Sequence, residues 1–65
     1  MMLVVGHVYE CVDGRRGLCV QCKRAGCIVA WTEIGGEDWR MSVYDRDGKP
    51  KSEGAPQIAH QVFPP

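Results

Sequence analysis

Cys11, Cys19, Cys22 and Cys27 are the four cysteines of a 65-residue chain, and all lie in its first half. Thiolates are soft ligands, and a C-x2-C pair on one tight knuckle is the commonest half of a structural zinc site. Cys19-Val20-Gln21-Cys22 supplies that half, and Cys11 with Cys27, or His7 with either of them, would complete it. The local sequence argues the other way. Lys23 stands where a glycine usually helps the backbone turn, and Val20 suits a strand better than a knuckle. In a regular strand Cys19 and Cys22 point to opposite faces and cannot share one ion. The cysteines are therefore expected to be packing residues with free thiols and no cofactor, since free cysteine is among the most buried residue types. Zinc on Cys11, Cys19, Cys22 and Cys27 is the alternative.

Covalent catalysis has less to stand on. A cysteine nucleophile needs a base beside it and a group to orient that base. His7 falls in an amino-terminal strand and His60 in a tail, with nothing to bring either to a thiol. Glu37-Asp38, and Asp45 with Asp47, fall in turns, where carboxylates cap or are solvated. The chain reads as non-enzymatic.

The elements that must position these residues are strands. His7-Val8-Tyr9-Glu10-Cys11-Val12 alternates with a period of two and ends at Asp13-Gly14, a strong turn signal. Leu18 to Lys23 is the natural return, with Leu18, Val20 and Cys22 on one face and Cys19, Gln21 and Lys23 on the other. Arg24-Ala25-Gly26 turns the chain into the apolar run Cys27-Ile28-Val29-Ala30-Trp31-Thr32, suited to a central strand. Gly35-Gly36 predicts a third turn, Trp39 to Tyr44 a fourth strand, and Asp47-Gly48 its closing turn. The stretch from Lys51 to Pro65 carries three of the four prolines and reads as a surface tail with a short edge strand near Gln61-Val62-Phe63. The expected fold is all-β: an antiparallel meander of about four strands, SH3-like or half-barrel. It forms a single domain over 1–65, with its core over 4–50 and a tail over 51–65.

Composition narrows the partners. Eight basic and eight acidic residues give zero formal charge, whereas a nucleic-acid binder normally carries a basic excess, so nucleic acid ranks below other partners. The start of the chain lacks the basic region and long apolar run of an export signal, and no stretch approaches the length of a membrane span. The reading is a cytoplasmic protein with reduced cysteines and no membrane partner. A core this small is marginal without a staple or a second subunit, which points to a homo-oligomer.

Three stretches carry a resemblance: Tyr9-Glu10-Cys11-Val12-Asp13-Gly14-Arg15-Arg16, Val20-Gln21-Cys22-Lys23-Arg24-Ala25-Gly26 and Ile28-Val29-Ala30-Trp31. With the later Tyr44-Asp45-Arg46-Asp47-Gly48, they resemble a family of very short phage and prophage proteins. Members run strand, "DGR" turn, strand ending in cysteine, basic turn, apolar strand and a second "DG" turn. The resemblance covers roughly residues 8 to 50 and rests on turn residues and alternation. It implies a phage accessory protein in the bacterial cytoplasm, serving host takeover or anti-defence without catalysis. Cys22 matches the family's cysteine, while Cys11, Cys19 and Cys27 depart from its pattern, and the spacing from Asp13-Gly14 to Cys22 is about one residue longer.

A binding surface can be sketched from residue types. Trp31 lies in the most apolar strand and is expected in the core. Trp39 and Tyr44 are five positions apart, so in one strand they take opposite faces and one of them is exposed. Trp39 and Tyr44 would provide flat apolar walls, and Arg15, Arg16, Arg40 and Arg46 the donors for a phosphate or carboxylate. The partners this suggests are a host protein or a small nucleotide-like ligand. The alternative is a zinc-stapled module that docks on nucleic acid or a polymerase through its basic first hairpin.

Overall fold

The computed structural model describes residues 1–32 and 38–62. The predicted Gly35-Gly36 turn, Glu33, Glu37 and the Phe63-Pro64-Pro65 end lie outside the described residues. Five antiparallel strands form one sheet: β1 (Val8–Cys11), β2 (Arg16–Lys23), β3 (Gly26–Thr32), β4 (Trp39–Tyr44) and β5 (Ile58–Gln61). Their order across the sheet is β4-β3-β2-β1-β5, so the first four strands are a meander and β5 closes on the far edge, against β1. The all-β meander expected from alternation and Asp-Gly turns is the observed architecture. No helix occurs among the described residues, and none is long and apolar enough to cross a membrane.

The turns form where the glycines allow a left-handed backbone. Gly14 (φ 94°) and Gly48 (φ 93°) each donate back three residues, to the carbonyls of Cys11 and Asp45.

One face of the sheet carries the core: Leu3, Tyr9, Cys11, Cys19, Cys27, Val29, Trp31 and Tyr44 are all buried. The largest, Trp31, sets the parity of its neighbours. It sits opposite Gly17 in the β2–β3 ladder, and its ring lies over that glycine so closely that a Cβ there would be 2.6 Å from the indole. The inward residues of β2 are therefore the small ones, Gly17, Cys19 and Cys22, while Leu18 faces out. This reverses the facing expected from hydrophobicity, which grouped Leu18 and Val20 with Cys22 and set Cys19 apart. The glycine is invisible to a hydrophobic pattern, but the indole above it needs the space.

The segment between β4 and β5 must cross from one sheet edge to the other, and it does so over the core. Ala55 packs against the core cluster, and the Tyr44 hydroxyl donates to the Pro56 carbonyl. Tyr44 also accepts from Trp31 Nε1 at 2.9 Å, with the two rings edge to face at 6.4 Å. On the other side, Leu3 is held by its amide to the Arg46 carbonyl, and the Val4 amide donates to the Tyr9 hydroxyl. The segment between β4 and β5 is thus a lid on the core as well as a surface segment, and Leu3, before the expected start of the core, belongs to that core. The edge strand expected near Gln61-Val62-Phe63 lies earlier, at Ile58–Gln61, and shares Gln61 with that expectation.

Candidate functional site

The cysteines were expected to scatter, and an irregularity in β2 gathers three of them. Cys19 pairs with Val29, but the next pair is Gln21 with Ile28, so Val20 is an extra residue on β2. Such a bulge breaks the two-residue alternation, and residues on either side of it regain the same face. Cys19 and Cys22 consequently both point inward, with their sulfurs 3.5 Å apart. Cys22 then faces Cys27 directly across the ladder at a Cα separation of 4.1 Å, and the two are joined as a disulfide. The Sγ atoms of Cys19, Cys22 and Cys27 lie within 4.8 Å of one another. The argument that Cys19 and Cys22 cannot share an ion holds for a regular strand, and this strand is not regular. Reduced thiols were expected at all four positions, whereas Cys22 and Cys27 are bonded.

Cys19 and Cys27 are fully buried and Cys22 half-buried, which leaves the cluster open on the Cys22 side. Burial pushes the Cys19 thiol above its ordinary pKa, because a thiolate there would lose its hydration. The hydrogen-bonding neighbours are soft and weak: Cys19 points to the Gln21 carbonyl at 3.9 Å and Cys22 to the Leu3 carbonyl at 3.7 Å. Cys11 belongs to a different environment. Its thiol donates to Asp13 Oδ1 at 2.7 Å, so the four-cysteine set resolves into three and one.

The arginines do not converge. Arg15 closes on Asp13 within its own turn, at 2.8 Å from Nη2 and 2.9 Å from Nε to Oδ2. The Arg15 guanidinium and the Cys11 thiol hold the Asp13 carboxyl well below the usual carboxylate range, and Asp13 raises Arg15 in return. Arg16 reaches Glu10 at 3.4 Å, and Glu10 also lies 3.6 Å from His60 Nε2. Arg46 is at the opposite end of the sheet, in the turn after β4, and Arg40 lies on the core side of β4, opposite Trp31. The acids within the first hairpin therefore offset its basic charge locally.

The aromatic pair separates as its spacing requires. Trp39 is 56% exposed, whereas Tyr44 is fully buried and tied into the core by both of its hydroxyl bonds. Burial pushes the Tyr44 phenol up to about 12. Tyr44 is closed off in the core, while Trp39 takes the exposed place expected of one of the two, on a face whose other members the sequence did not single out. The outward residues Leu18, Val20, Met41 and Val43 are all exposed, and Met41 is the most open at 64%. Val8, Leu18, Ala30 and Met41 form one cross-strand row, and Gln21, Ile28 and Val43 a second. At one corner of this face is a shallow hollow of about 170 Å³ lined by Gln21, Lys23, Ala25, Gly26, Ile28 and Val43. The signal for this face was present as alternation in β4, but the alternation does not say which side meets solvent.

No protein-family model, curated protein or solved structure matches the chain.

Proposed function

We propose that this chain is a non-catalytic, phage-type accessory protein that acts by binding a host protein through the open face of its sheet. The observation that carries this reading is the apolar outer face itself. Leu18, Val20, Met41, Val43 and Trp39 are exposed on it together, next to half-buried Ile28. Scattered exposed apolar residues are ordinary, but a contiguous apolar face with an exposed tryptophan at its edge has the make-up of a protein interface. The hollow on the same face is smaller than the roughly 300 Å³ at which small-molecule sites begin, so it suits one anchoring side chain of a protein better than a nucleotide. The local pairing of Arg15 with Asp13 and of Arg16 with Glu10 weighs against a phosphate backbone as the partner.

The test is a binary one. A partner captured from bacterial lysate is purified, and its affinity is measured for the wild-type chain and for Met41→Lys with Val43→Lys. The expected result is a loss of at least tenfold, with Arg15→Ala plus Arg16→Ala close to wild type. Equal affinity for the lysine variant overturns the reading. So does a wild-type dimer in native mass spectrometry that the lysine variant dissociates, because a second copy would then occupy the face.

A further inference from the structure

The cysteine cluster lies on the covered side of the sheet and takes no part in the outer face, so its role is a separate question. Two of its sulfurs come from β2, on either side of a bulge, and the third from the directly paired position on β3. Their positions are thus fixed by the two longest strands of the sheet and not by a loop. The surroundings are apolar: Leu3, Val29 and Tyr44 belong to the same buried cluster. Three thiols in such a place have little to gain from hydrogen bonds, since the acceptors near them are carbonyls at 3.7 Å and 3.9 Å and one another. A cation with a preference for sulfur would satisfy all three at once.

The distances suit zinc. A tetrahedral site with Zn–S near 2.3 Å places its sulfurs about 3.8 Å apart. Cys19 and Cys22 already stand at 3.5 Å. Cys27 is bonded to Cys22, and breaking that bond lets its sulfur move out by the remaining amount within a cluster that spans no more than 4.8 Å. We infer that Cys19, Cys22 and Cys27, once reduced, form a zinc site of three thiolates whose fourth position opens on the Cys22 side.

Two steps lead there. A dithiol reductant passes two electrons to the Cys22–Cys27 bond, giving two thiols and leaving the reductant as its own disulfide. Zinc then displaces one proton from each of the three thiols and forms three Zn–S bonds. The fourth thiol, that of Cys11, is engaged with Asp13, and the His7 imidazole is held by Gln61 Nε2 at 2.9 Å. Three protein ligands with one position left for water or an incoming ligand is the open form of zinc coordination. The disulfide and the zinc site exclude each other, because both use the sulfurs of Cys22 and Cys27.

The test uses the full chain, reduced and handled without oxygen, with zinc or cobalt(II) as the probe. The expected result is one ion per chain in native mass spectrometry and a cobalt spectrum with thiolate charge-transfer bands. Alkylation and peptide mapping of the wild type should show that zinc protects Cys19, Cys22 and Cys27 and leaves the labelling of Cys11 unchanged. Cys11→Ser should bind as the wild type does, and Cys19→Ser should lose about a hundredfold or more in affinity. Absence of a bound ion in the reduced wild-type chain overturns the inference. Zinc protection of Cys11 equal to that of Cys19 also overturns it, in favour of a four-cysteine site. The protection map is read on the wild type, so it stands whether or not a serine variant folds. Neither outcome bears on the outer face.

Discussion

Cys19 and Cys22 lie three positions apart on β2 and yet face the same side of the sheet, with their sulfurs 3.5 Å apart. The cause is one residue. Val20 is inserted against an uninterrupted β3, and its insertion turns the rest of β2 by one place. At this spacing everything the cluster can do, whether a disulfide or metal binding, depends on that insertion.

Removing Val20 tests this directly. Val20 has no partner on β3, so its loss leaves Cys19 opposite Val29, Gln21 opposite Ile28 and Cys22 opposite Cys27, now in a regular alternation. In the deletion variant Cys22 should still meet Cys27, so mass spectrometry after alkylation without reductant should count the same free thiols per chain as in the oxidised wild type. Two more free thiols would mean that Val20 is not the inserted residue.

Gly17 is predicted to tolerate no side chain. Its missing Cβ leaves room for the indole of Trp31 and for Val29 Cγ1, which would stand 2.6 Å and 2.8 Å from an added methyl. Gly17→Ala should destabilise by about 1–3 kcal/mol, the usual cost of overpacking, and lower the thermal midpoint. A midpoint equal to that of the wild type would place the indole elsewhere.

Tyr44→Phe removes a hydroxyl that both accepts from Trp31 and donates to Pro56. The buried Trp31 Nε1–H loses its acceptor, a loss of about 1–3 kcal/mol, while the half-buried Pro56 carbonyl loses a donor that water can replace. The same phenol sets the alkaline limit. Its folded pKa is raised, by burial first, to about 12, so the folded state holds a proton that the unfolded chain gives up near pH 10. Its contribution is complete below about pH 10 and falls as pH rises towards about 12. Denaturant midpoints across that window should decline in the wild type and decline less in the phenylalanine variant.

Asp13 governs the acid side with the opposite sign. Its carboxyl is held low by Arg15, first through the side-chain bond, and then by the Cys11 thiol. The contribution is present above the ordinary carboxylate pKa near 4 and is lost as pH falls below it. Asp13→Asn should flatten the stability curve between about pH 4 and pH 2, since the amide does not titrate there. An unchanged acid slope would assign that dependence to other carboxylates.

The sequence by itself determined the strands and most of the turns. Asp13-Gly14 and Asp47-Gly48 turn because a glycine can take a positive φ, and β4 runs from Trp39 to Tyr44 as its alternation requires. It also determined that Trp39 and Tyr44 part company, because five positions is an odd number on a two-residue repeat. Which of them is buried was decided by tertiary structure. Trp31 needs the space over Gly17, that contact fixes the core side of β2 and β3, and Tyr44 follows through its bond to the indole. The bulge at Val20, the crossing segment that lids the core and the place of Leu3 in that core were likewise beyond local reading. Each is set by a partner distant in sequence, and alternation along a strand carries no information about what lies across from it.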